Sequence, residues 1–150
     1  MPNAKRRIAA VQLEAELGDV AVNLERVERL AKEALTAGAE VVALPEFFTS
    51  RIAFDQRVHD AVLPPNNEAV DLLVSLAKQY GCWIGGSMLI AEGEEVYNRY
   101  YFVEPDGQMH THDKDLPTMW ENAFYGPGKD DGVFQTGLGG VGAAVCWGLI

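Results

Sequence analysis

Val41-Val42-Ala43-Leu44-Pro45-Glu46-Phe47-Phe48 reads as a buried strand with a carboxylate at its exit. Four consecutive apolar residues without alternation suit a strand covered on both faces, as in a parallel sheet. Pro45 stops the run, because proline has no N–H to contribute to a ladder. Glu46 is thereby placed at a strand's carboxyl end.

The segments on either side support this reading. Upstream, residues 8–13 form another short apolar run. Asp19 then offers a helix start, and Leu24, Val27, Leu30, Ala31, Ala34 and Leu35 recur at helical spacing until Gly38. Downstream, residues 49–66 are mixed and break at Pro64-Pro65-Asn66-Asn67. Asn67 can cap a helix that carries Val70, Leu73, Val74, Ala77 and Tyr80 on one side and ends at Gly81. Residues 82–90 read as a strand, weakened at Gly85-Gly86, where backbone passes close to another group.

After the polar turn Glu92-Gly93-Glu94-Glu95, the aromatic-rich residues 96–103 predict a strand. Tyr97, Tyr100, Tyr101 and Phe102 in it suit sheet packing better than a ligand platform. Pro105-Asp106-Gly107 is a turn, and residues 108–112 pair back. Residues 113–131 hold no period, and a loop that long in a compact domain is more often functional than idle. Val133-Phe134-Gln135-Thr136, a glycine-rich turn over 137–140, and residues 141–146 predict a final hairpin. Its second strand is expected to be buried and to carry Cys146 to its tip.

This order predicts an α/β fold: a single domain over residues 1–150, with a mixed sheet and helices on one face and no internal repeat or linker. The other face of such a sheet needs a cover. No segment stands out to supply it.

Composition narrows the function. The 150 residues are 48% hydrophobic, enough for a core, and 12 basic against 22 acidic residues give a net charge of -10. That charge repels nucleic-acid phosphates and anionic lipid surfaces, so neither is an expected partner. No apolar run approaches the ~20 residues of a membrane span, and a cytoplasmic location is expected. The two cysteines, Cys82 and Cys146, sit in apolar contexts that suit free thiols rather than a disulfide framework.

Three segments then carry chemistry. A cysteine attacks as its thiolate, and an ordinary thiol pKa of ~8.5 calls for a base or a positive field nearby. Glu46, if enclosed by Phe47 and Phe48, would be desolvated and a better proton acceptor. Lys114, in His112-Asp113-Lys114-Asp115, could stabilise negative charge that develops on a substrate. Taken singly, each has a plainer reading: Cys146 as a buried structural thiol, Glu46 as a solvated loop residue, Lys114 as a surface lysine between two aspartates.

Together, Leu44-Pro45-Glu46-Phe47, His112-Asp113-Lys114 with Pro117-Thr118 and Glu121 behind it, and Ala144-Val145-Cys146-Trp147 resemble the three signature segments of the nitrilase, or carbon-nitrogen hydrolase, superfamily in order and spacing. Asn98 and the Pro105-Asp106-Gly107 turn add to the likeness. The resemblance implies a four-layer α-β-β-α sandwich, of which this chain carries about the first half, which would explain the uncovered sheet face. It also implies a thiol-dependent hydrolase of small amides or nitriles, commonly a homo-oligomer, working without cofactor or metal. By motif position Cys146 would be the nucleophile, Glu46 the general base, Lys114 the transition-state stabiliser and Glu121 the residue that orients the lysine. Trp120, Phe124, Tyr125 and Trp147 are candidates to line the substrate pocket. Gly148 stands where many relatives have an acid, and the family continues past the cysteine, so an incomplete domain is expected. Two other readings stay open: an inactive binding or scaffold protein, and a small metal-binding domain built on the alternating His110 and His112.

Overall fold

A computed structural model describes residues 5–146. The elements are β1 (Ile8–Ala10), α1 (Val20–Thr36), β2 (Val41–Ala43), a 3-10 segment (Gln56–Ala61), α2 (Glu68–Tyr80), β3 (Trp83–Glu92), β4 (Glu95–Val103), β5 (Met109–Asp113), a second 3-10 segment (Met119–Ala123), and the hairpin β6 (Val133–Thr136) and β7 (Gly139–Gly142). Both helices start at the residues expected of them. Asp19 accepts a hydrogen bond from the Val22 N–H at 3.1 Å, and the Asn67 side-chain oxygen Oδ1 accepts from the Ala69 and Val70 N–H groups at 2.9 and 3.0 Å. Each cap satisfies donors that the first helical turn leaves without partners. No helix among the described residues is long and apolar enough to cross a membrane.

The main sheet has the order β1-β2-β3-β4-β5, with the first two pairings parallel and the last two antiparallel. It is the mixed sheet that the segment order predicts. Val27, Ala31 and Leu35 of α1 and Val70, Leu73, Leu76 and Ala77 of α2 share one core with Val42, Ile84, Met88, Tyr101 and Val103 of the sheet. Burial of these apolar side chains is the main force that holds helices to sheet. Close approach governs the strand centre: a Cβ on Gly86 would lie 2.7 Å from both Leu44 Cβ and Phe48 Cδ1.

Two expectations are corrected. The second sheet face is not bare, because Leu89 packs there with Phe47, Val58, Phe124 and Tyr125 from segments that lack any hydrophobic period. The β6–β7 hairpin adds to this cover, with Phe134 stacked on the His110 ring at 5.2 Å. Aperiodic loops supply the cover, so periodicity could not reveal it. The second correction concerns the end of the hairpin. β7 is confined to Gly139–Gly142 and is largely exposed, and residues 143–145 leave the ladder before Cys146. Three of its four residues are glycine, on a two-stranded sheet, which gives the strand little side chain to bury.

Candidate active site

Among the described residues, the non-glycine positions with positive φ are Phe47, Met119 and Cys146, at 55, 52 and 55°. Such conformations cost about 1–3 kcal/mol each and persist where the surroundings over-determine them. One lies in each of the three segments singled out by sequence. At the first, the Phe47 N–H donates to Ser87 Oγ at 3.2 Å and the Phe48 N–H to the Ser87 carbonyl at 3.1 Å. The turn sends Phe48 into the helix-side core and Phe47 into the cluster on the opposite face, leaving Glu46 at the strand exit between them.

Lys114 extends β5 by one residue, its N–H bonded to the Asn98 carbonyl at 2.9 Å. The side chain follows the alternation of His110 and His112 onto the face opposite the helices. It is completely buried there, against the surface reading that its aspartate neighbours suggest. Its ammonium lies 2.9 Å from Glu46 Oε1 and 3.0 Å from Glu121 Oε2. Asn98 Nδ2 donates to the same Glu46 oxygen at 2.8 Å. Glu121 Oε2 also accepts from the Thr118 N–H at 2.6 Å and from the Tyr125 hydroxyl at 2.8 Å. A buried ammonium is tolerable only with such partners.

Charge follows from this packing. Desolvation works against the Lys114 ammonium, yet its hydrogen bonds with Tyr125, Glu46 and Glu121 outweigh it and hold the group above the ordinary lysine value. Partial burial likewise pushes Glu121 up, while donation from Thr118, Lys114 and Tyr125 brings its carboxyl below the usual range. Burial raises the Tyr125 hydroxyl, which stays protonated and able to donate. Lys114 and Glu121 are thus a fixed cation and anion at neutral pH.

Glu46 is not enclosed as the sequence suggests. Its side chain is 26% exposed and borders a cavity of about 420 Å³ walled by Leu13, Pro45, Phe47, Ser50 and Arg51. Its partners bind one carboxylate oxygen, Oε1.

Tyr125 is buried and faces Glu121 and Lys114. Phe124 lines a separate cleft with Phe54 and His59, and Trp120 packs edge-on against Phe54 and Phe124 at 6.0 and 5.9 Å. Trp147 and Gly148 lie outside the described residues. Cys146 is exposed, and among the described residues it has no hydrogen bond to Glu46 or Lys114. Cys82 is buried, and desolvation pushes its thiol up to about 11.

The two histidines engage separate carboxylates, His110 with Glu104 at 2.8 Å and His112 with Asp130 at 2.5 Å. Among the described residues no group of three or more histidine, cysteine, aspartate and glutamate side chains could hold a metal ion. Asn98 has no assigned role in the sequence reading, yet it bonds Glu46 directly. The sequence signal is an asparagine within an aromatic-rich strand, a residue type depleted from strands, and in the fold it is fully buried.

Comparison with known proteins agrees with this geometry. The family model described as carbon-nitrogen hydrolase matches residues 7–150, and the chain belongs to that family. It is 33% identical to an omega-amidase of Danio rerio over 97% of this chain and 56% of that protein, and 30% identical to a nitrilase of Pyrococcus abyssi over 94% and 55%. Among solved structures, a CN-hydrolase superfamily protein from Xanthomonas campestris superposes with a TM-score of 0.85 at 25% identity, over 96% of this chain and 54% of that one. The α/β architecture is that of the nitrilase superfamily, and the chain spans about half the length of the curated relatives it matches.

Proposed function

We propose that this chain carries the catalytic residues of a cysteine-dependent hydrolase of small amides or nitriles. The observation that carries the reading is Lys114, a fully buried ammonium at the exit of β5, held between the carboxylates of Glu46 past the end of β2 and Glu121 in the second 3-10 segment. Structural lysines are seldom placed in this way, and perturbed charges gathered at strand ends beside a cavity are typical of catalytic sites.

In the proposed reaction Glu46 takes the Cys146 thiol proton and Sγ attacks the substrate carbon. The Lys114 ammonium donates to the oxygen or nitrogen on which negative charge develops. For an amide, the tetrahedral species collapses as the C–N bond breaks and Glu46 returns the proton to the leaving nitrogen. Water, deprotonated by Glu46, then hydrolyses the thioester and frees Cys146. Glu121, held by Thr118 and Tyr125, keeps the ammonium in place. A homo-oligomer and a small-molecule substrate belong to the same proposal.

Two measurements test it. Ammonia release from a panel of aliphatic nitriles, primary amides and carbamoyl compounds is expected for the native protein and is lost in Cys146→Ala. Iodoacetamide at neutral pH is expected to label Cys146 well ahead of Cys82, with the preference lost in Glu46→Gln. Equal, slow labelling of both thiols, with no ammonia from any compound, would leave the scaffold reading in its place.

A further inference from the structure

The histidine pair on β5 that sequence reading offers as metal ligands has another geometry. Each ring is bound by a carboxylate that also grips the β6–β7 hairpin, and the two grips lie at opposite ends of it. At the turn, Glu104 takes His110 on Oε1 at 2.8 Å and the Gly137 N–H on Oε2 at 2.7 Å. At the open end, Asp130 Oδ1 accepts from His112 Nδ1 at 2.5 Å and from the Gly132 N–H at 2.9 Å, while Oδ2 accepts from the Asp113 N–H at 3.2 Å.

The open end is where both reacting segments emerge. His112 and Asp113 immediately precede Lys114. Gly132 accepts the Ala143 N–H at 2.7 Å, and Ala143 stands three residues before Cys146. A Cβ on Gly132 would lie 2.5 Å from the Ala143 carbonyl oxygen and 3.0 Å from His112 Nδ1, so a side chain has no room there. A single carboxylate therefore ties the strand of Lys114 to the segment that leads into Cys146. An ionised carboxylate can only accept, so the Nδ1 nitrogen of His112 carries the proton it shares. His112 is buried, and neither it nor Asp130 bonds Glu46, Lys114 or Glu121.

We propose that Asp130 and His112 form a positioning pair that sets Cys146 relative to the Lys114 ammonium, whereas Glu104 and His110, gripping the same hairpin at its far end, contribute to stability alone. The role of Cys146 in this proposal rests on the hydrolase reading above. Small displacements of a reacting group are costly: about 1 Å can lower a rate on the order of a hundredfold.

The test compares Asp130→Asn, His112→Leu, the double variant and Glu104→Gln in the full chain. Alkylation of Cys146 by iodoacetamide is followed against Cys82 by peptide mass analysis, alongside thermal unfolding and the kcat and KM of ammonia release. In Asp130→Asn and His112→Leu, alkylation and kcat are expected to fall about tenfold or more with KM little changed, and the double variant is expected to be no worse than either single one. Glu104→Gln is expected to lower Tm while leaving both rates as they were. His112→Asn, whose amide N–H can stand where Nδ1 donates to Asp130, is expected to restore much of the loss, and with His112→Leu it decides the proposal if Asp130→Asn does not fold. Native alkylation and kcat in Asp130→Asn and His112→Leu, or equal losses in Glu104→Gln, would overturn the proposal. A native protein that alkylates selectively at Cys146 but releases no ammonia would refute the hydrolase reading, and the alkylation series would still decide the positioning role.

Discussion

Lys114 shows how far a residue's meaning depends on its partners. In the sequence it stands between Asp113 and Asp115 and reads equally well as a surface charge; in the fold it is sealed against Glu46, 68 positions away, and Glu121. Lys114→Met is expected to abolish ammonia release and to lower stability by about 3 kcal/mol, because two carboxylates then face each other without their cation. Urea unfolding measures the loss. The deficit is expected to shrink as pH falls toward 4, where Glu121, no longer held low by the ammonium, can take up a proton. Glu46, Lys114 and Cys146 could be singled out in the sequence because the motif order supports each of them. Asn98 and Asp130 could not be given a role, since their significance lies in hydrogen bonds to groups well along the chain, Glu46 for Asn98 and His112 and Asp113 for Asp130.

At the scale of elements, the helices and the presence of a final hairpin were legible, and the extent of the hairpin's second strand was not. α1 and α2 announce themselves through capping residues and apolar spacing, both of which are local properties. The run from Val141 to Cys146 has the apolar character of a buried strand, but its ladder ends at Gly142 and its partner β6 belongs to a separate two-stranded sheet. Gly85-Gly86 shows that a local signal can point to a tertiary cause. Its reading as a place of close approach agrees with the contacts of Gly86 against Leu44 and Phe48, the residues on either side of the Glu46 exit. Gly86→Ala is expected to cost about 1–3 kcal/mol through overpacking of this junction. It is also expected to lower turnover by moving the strand exit, with urea midpoint and kcat as the measurements.

For the whole molecule, the distribution of perturbed charges sets a pH window of stability. Among the described residues, besides Asp55, which Arg57 holds low, three carboxyls lie below their ordinary values: Glu104 through His110 and the Gly137 N–H, and Glu121 and Asp130, in which hydrogen bonds outweigh burial. Their contribution is complete above the unfolded values of 4.5 and 3.8 and is lost as pH falls through the lower folded ones. Lys114 has the opposite sign. Raised above 10.5, it contributes fully below that pH and loses its contribution as pH rises through the folded value. Thermal unfolding is expected to show a plateau of Tm across neutral pH, an acid limb below about pH 4 and an alkaline limb above about pH 10. Lys114→Met is expected to flatten the alkaline limb.

The sequence by itself determined the helices, the parallel-to-antiparallel order of the strands, the chemical types at the strand exits and the family. These rest on periodicity, capping and motif order, which are written within short windows of chain. Only the tertiary structure decided that aperiodic loops cover the second sheet face, that Lys114 is buried rather than solvated, and that His110 and His112 grip a hairpin. Those outcomes depend on which distant groups meet. Desolvation then makes each meeting obligatory, because a buried charge or imidazole without its partner would not be tolerated.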